Sequence, residues 1–288
     1  MTLLRQKMMD AMQLRGFSVR THESYLSAVR DLARYYHRPP DQLNVDELQA
    51  YFLYFLYLVK ERGLSGASCR LYLNGIRFLY LQVMGWDTFK VELHVPKAAQ
   101  RIPELLTRRE VGQILSACRN PKHRMMLTTC YGCGLRVSEL VALNVRDIDS
   151  ERHLLRIEQG KGAKDRQVIL SASLLEQLRG YWRRYRPTRW LFPRRDTEVA
   201  LCISTPQRVF TMAKRRAGID KVGGIHSLRH AYATHQLEAG LPVHQLQRLL
   251  GHRNLQSTLR YVHWVPGYQE GQADIDLIGT LEVEHGGH

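Results

Sequence analysis

The chain has 288 residues, 44% of them hydrophobic and 24% charged, which is the make-up of a folded protein with room for two cores. Its formal net charge of +15 falls unevenly: residues 1–90 hold 12 Lys/Arg against 8 Asp/Glu, residues 91–263 hold 30 against 14, and residues 264–288 hold none against 5. A folded segment carrying +16 points to a polyphosphate partner, with nucleic acid foremost, and a bilayer-spanning or disordered chain is excluded.

Arg5 and Lys7 interrupt any apolar run at the start, so no signal peptide is expected. A short helix before Gly16 is followed by one from Ser18, a credible N-cap, to Pro39-Pro40. Apolar residues at Tyr25, Leu26, Val29, Leu32, Ala33 and Tyr36 give that helix one buried face. A third helix is expected from Val45 to Arg62, capped by Asn44 and stopped by Gly63, and a fourth from about Ser65 to Val83. The window Tyr51–Val59 is the most apolar and far too short to span a bilayer. Four amphipathic helices with brief connections make a bundle over residues 1–93. Arg20, Arg30, Arg34, Arg70 and Arg77 would either track a phosphate backbone or form a solvated face. Residues 94–103, HVPKAAQRIP, read as an extended linker to a second domain, 104–288.

Thr107 and Glu110 form a capping box that opens the next helix. Cys130 and Cys133 make a C-x-x-C without a second pair at zinc spacing, so they read as buried thiols, and no metal site is expected. With Cys69, Cys118 and Cys202 they give an odd count and no disulfide framework, which suits a reducing cytoplasm. In GLRVSEL, two glycines at 132 and 134 allow close approach just before Arg136. Glu139, one turn on, could hold that guanidinium or form a simple surface ion pair. HLLRIE (153–158) and RQVIL (166–170) read as two strands joined by QGKGAKD, a hairpin tip bearing Lys161 and Lys164. The spacing is not that of a P-loop, so no nucleotide cofactor is implied. Helices follow at about 171–186 and 205–217.

The richest stretch is HSLRHAYATHQLEAGLPVHQLQRLLGHRNLQSTLRY, residues 226–261. His226 and Arg229 project from one helical face, His252 follows a helix stop at Gly251, and Tyr261 comes nine residues later. A phenol beside imidazoles and a fixed guanidinium suits attack on a phosphodiester. His230, His235 and His263 read as structural. After Tyr261 the tail holds Ile275, Leu277, Ile278 and Leu281 but no basic residue.

Arg in GLRVSEL, Lys in a GKG hairpin, H-x-L-R-H, LGH and a Tyr nine residues after that His together resemble the tyrosine recombinase (phage integrase) family. The likeness is closest to Xer-type and integron- or transposon-associated members, and it covers almost the whole chain. It implies a mainly α fold with a small β-sheet (α+β), in which a helical core-binding domain and a catalytic domain form a clamp around DNA. It implies a site-specific recombinase that cleaves and rejoins double-stranded DNA through a covalent 3′-phosphotyrosyl link, as a tetramer and without metal, ATP or any other cofactor. By the same resemblance Arg136 and Arg229 clamp the scissile phosphate, Tyr261 attacks and Lys161 protonates the leaving 5′ oxygen. His226 takes or relays the tyrosine proton, His252 hydrogen-bonds the phosphate, Glu139 supports Arg136, and the tail forms a short helix docked on a neighbouring subunit, the other reading of its apolar residues being a tail folded back on its own domain. A type IB topoisomerase, which shares the pocket, is the alternative.

Overall fold

Helix boundaries follow the caps and breakers written in the sequence. The structure, a computed structural model, describes residues 2–62, 66–91, 103–158, 165–194, 199–269, 277–279 and 281. It is mainly helical with one small sheet, and it divides into two compact units, Met1–Arg101 and Ile102–His288.

The first unit holds α1 (Leu3–Leu14), α2 (Val19–Tyr36), α3 (Val45–Arg62) and α4 (Gly66–Phe78), the last continuing into a π-helical stretch, Leu79–Val83. Ser18 caps α2 by accepting from the Thr21 N–H, and Asn44 and Glu47 cap α3 reciprocally, each accepting the other's backbone N–H at 2.9 Å. Met8, Met12, Leu32, Phe52, Ile76 and Leu79 meet in the core. Gly75 lets α4 press against α2, since a Cβ there would stand 3.1 Å from the Tyr25 Cα.

The second unit is built around two helices buried on nearly all sides. In α6 (Pro121–Gly132) every residue from Met125 to Tyr131 is buried, and α10 (His226–Glu238) is almost as enclosed. Around them lie α5 (Arg108–Ser116), α7 (Val137–Ala142), α8 (Ala172–Tyr185), α9 (Ser204–Arg216), α11 (Val243–Leu250) and α12 (Gln256–Val262). The capping box at Thr107 and Glu110 is formed in full.

An antiparallel sheet of order β1-β2-β3 joins Ile148–Asp149, Leu154–Ile157 and Arg166–Ile169. Leu155 pairs with Val168 and both are buried, while Arg156 and Ile169 face out, the alternation of a half-covered sheet. Strand β1 is an addition to the two-stranded hairpin that the sequence announces. Lys161 and Lys164 fall on residues 159–164, outside the described residues. The same holds for all of the expected 94–103 linker except Pro103.

Gly134 turns the chain from α6 into α7 at φ 55°, and a Cβ there would lie 2.4 Å from the Tyr232 ring. Both conditions demand glycine. Gly134→Ala should therefore cost roughly 2–4 kcal/mol, read as a fall in Tm of about 5–15 °C. An unchanged melting curve would show that Tyr232 yields freely.

In the single chain the tail takes the folded-back reading, and Ile275 lies outside the described residues. Leu277, Ile278 and Leu281 are buried in the core of their own unit, with Ile278 lying over Gly132 near Leu174. Residues 277–279 form a turn and not a helix. Apolar side chains this large leave water wherever a groove is open, and in the single chain the open groove is their own. No helix among the described residues is long and apolar enough to cross a membrane.

Candidate active site

Four segments of the second unit converge at the N-terminal half of α10: the turn into α7, the start of β3, the turn after α11, and α12. Arg136 sits at the N-cap of α7, so its side chain and that of Glu139 leave the same turn. Its Nη1 donates to Glu139 Oε1 at 2.7 Å and its backbone N–H to Oε2 at 2.8 Å. Glu139 is 7% exposed and also accepts a two-pronged contact from Arg166, at 2.7 and 2.8 Å. Burial alone would raise the Glu139 carboxyl, but Arg166 and Arg136 outweigh it and hold it down to about 2. Glu139 is thus no surface partner; it is the buried anion on which the arginines are arranged.

Arg229 is 4% exposed. Its Nη1 donates to the Gly134 carbonyl and its Nη2 to the Leu250 carbonyl, both at 2.6 Å. Burial, then Arg136, lowers its guanidinium to about 10, which leaves it charged at neutral pH. Gly251, at φ 63°, closes α11 and delivers His252 to the same place. His252 Nε2 lies 3.2 Å from Arg229 Nη2, and only an acceptor suits a guanidinium. The proton therefore sits on Nδ1, which donates to Thr258 Oγ1 at 2.9 Å. Burial and the neighbouring Arg229 and Arg136 hold His252 neutral, down to about 4.

Tyr261 is 3% exposed on α12. Its ring lies parallel to His252 at 6.2 Å between centroids and edge-on to Trp264 at 5.1 Å. Its hydroxyl is 3.0 Å from Nδ1 of His230. Burial raises the phenol and the nearby Arg229, Arg260 and Arg136 work against that rise. Tyr232 packs on Gly134, and the Tyr268 hydroxyl donates to the Leu241 carbonyl, so neither serves this cluster.

Of the residues singled out from sequence, Arg136, Glu139, Arg229, His252 and Tyr261 are thus brought together. His226 opens α10, exposed at its outer side yet within electrostatic reach of Arg229, Arg136 and Glu139, and Lys161 lies outside the described residues. Burial, with Arg229 and Arg136, pushes the His226 imidazole down. Two residues were missed. His230 is corrected from a structural histidine to the hydrogen-bond partner of Tyr261; its place one turn beyond His226 was the available signal. Arg166 had one as well, a charge opening an apolar strand.

His235 does keep a structural role: Nδ1 meets the Tyr131 hydroxyl at 2.8 Å and Nε2 the Leu106 carbonyl at 2.9 Å. Cys130 and Cys133 are buried free thiols, and burial pushes Cys130 up to about 12. Among the described residues, no group of three His, Cys, Asp or Glu is placed to hold a metal ion.

Residues 104–266 match the phage integrase family, and residues 4–88 match the SAM-like N-terminal domain of phage integrases. The chain belongs to the phage integrase family. It is a tyrosine recombinase of the Xer-like type. The Sinorhizobium fredii sequence y4qK, which carries an integrase/recombinase designation, is 41% identical over 263 residues, 91% of this chain and 84% of that protein. The tyrosine recombinase XerA of Thermococcus onnurineus is 39% identical over 217 residues, 73% of this chain and 75% of its own. A lambda integrase dimer bound to a core site shares the fold, with TM-score 0.73 and 21% identity over 89% of this chain and 97% of that one. Members of this family cleave and rejoin DNA, and the topoisomerase alternative is not favoured.

Proposed function

We propose that the chain recombines double-stranded DNA at a specific site, with Tyr261 as nucleophile, Arg136 and Arg229 as the phosphate cradle, and His252 as the acceptor that positions Arg229 within it. The observation that carries this reading is that Arg136 and Arg229 meet at the buried Glu139, with His252 set on Arg229 and Tyr261 parallel to His252. In-line attack by the phenol forms a phosphotyrosyl bond and releases a 5′ hydroxyl, which needs a proton. The resemblance assigns that proton to Lys161. Two guanidiniums near the reacting oxygen stabilise charge that builds up only in the transition state. The covalent bond preserves the phosphodiester energy, so rejoining requires no nucleotide.

The basic 91–263 segment supports duplex DNA as the partner, and the free cysteines fit a reducing cytoplasm. The reading extends to a tetramer on two duplexes. In that assembly the groove now filled by Leu277, Ile278 and Leu281 would receive the same residues from a neighbour, an exchange of identical contacts.

A nicked duplex whose cleaved end diffuses away tests the assignment. A covalent protein–DNA species should accumulate in excess EDTA and without nucleotide, and peptide mapping should place the DNA on Tyr261. A strict need for magnesium in this step, or an adduct at another residue, would overturn it.

A further inference from the structure

The site contains an imidazole that the assigned roles leave idle. His230 Nδ1 is 3.0 Å from the Tyr261 oxygen. Its ring meets Tyr261 at 5.7 Å and stands edge-on to Trp264 at 5.7 Å, so its orientation is fixed from two sides. A phenol that has not ionised can only donate in this contact, which makes Nδ1 the acceptor and puts the ring proton on Nε2.

Two other imidazoles, on α10 and in the turn after α11, are committed elsewhere. Both nitrogens of His252 are engaged, one facing Arg229 and one Thr258. Those of His235 face Tyr131 and Leu106. His226 is exposed at the start of α10, and the tyrosine hydroxyl is turned to the imidazole one turn further on.

We propose that His230, and not His226, takes the proton of Tyr261 as it attacks and returns it when the strand is rejoined. This inference rests on Tyr261 being the nucleophile. As the Oη–P bond forms, the phenolic proton passes to Nδ1 and the bond from phosphorus to the 5′ oxygen breaks. A separate acid, assigned above to Lys161, protonates that oxygen. Rejoining reverses each transfer, so His230 ends the cycle neutral.

Before DNA binds, burial and the charges facing the ring keep it neutral with a free lone pair: His226 and Arg229 from α10, Arg260 from α12. The incoming phosphate adds negative charge beside Arg229 and so raises the basicity of Nδ1 as the reaction needs it.

His230→Asn separates proton transfer from mere positioning, because the amide oxygen of Asn occupies the place of Nδ1 and accepts a hydrogen bond but takes no proton. Single-turnover cleavage of a nicked duplex should fall about 10²–10⁴-fold with DNA affinity within about twofold. A 5′-phosphorothiolate duplex, whose sulfur leaves without protonation, should rescue Lys161→Ala and not His230→Asn. Wild-type cleavage by His230→Asn, or its rescue by the sulfur substrate, would overturn the proposal. If the Asn variant loses DNA binding or its cooperative melting transition, His230→Gln is read by the same criteria. The nucleophile assignment fails on a different result, an adduct that persists in Tyr261→Phe whatever His230 does.

Discussion

Tyr261→Phe will lower covalent cleavage by at least about 10⁴-fold while leaving duplex affinity within about twofold. The substitution removes one oxygen and keeps the ring that packs on Trp264 and beside His252. The phosphate cradle does not depend on that oxygen, because Arg136 is held by Glu139 and Arg229 by the Gly134 and Leu250 carbonyls. Folding should be little disturbed: the lost hydrogen bond to His230 costs about 1–2 kcal/mol. Cleavage is measured as adduct on a nicked duplex and affinity by titration of the intact site. Adduct at near wild-type yield would remove Tyr261 from the mechanism, and a parallel loss of affinity would mean that the hydroxyl serves binding instead.

DNA affinity will fall steeply with salt. The excess of 16 positive charges over residues 91–263 must release counterions from the duplex on binding. With about 6–10 phosphate contacts, the loss amounts to roughly 10³–10⁵ between about 50 and 200 mM salt. A fluorescence titration at four or five salt concentrations gives the slope directly. A flat response would mean that the arginines serve solubility alone.

Local chemistry was legible in the sequence, and distant chemistry was not. Ser18, Asn44 and Thr107 cap their helices because capping is settled within three residues, and the β2–β3 hairpin shows in its glycine- and charge-rich tip. The order of Arg136, His226, Arg229, His252 and Tyr261 was legible because motif spacing survives in one dimension. Arg166 escaped because its value lies in Glu139, 27 residues away, and in burial that periodicity does not report. Which of two histidines on one face of α10 would meet Tyr261 depends on how α12 packs across that helix. The seat of Ile278 over Gly132 is likewise a tertiary fact: the tail's apolar residues announce that they will be covered, without saying by what.

The Glu139 cluster leaves an electrical account open. Arg136, Arg166 and Arg229 bring three positive charges and Glu139 returns one negative, so the empty cluster carries an excess of two. A phosphodiester supplies one negative charge, and the five-coordinate species that forms when the phenolate attacks carries two. Within these four side chains the excess of two is matched by the five-coordinate species, while the proton taken from Tyr261 rests on His230 outside them; the resting protein is thus under electrostatic tension that the reaction relieves.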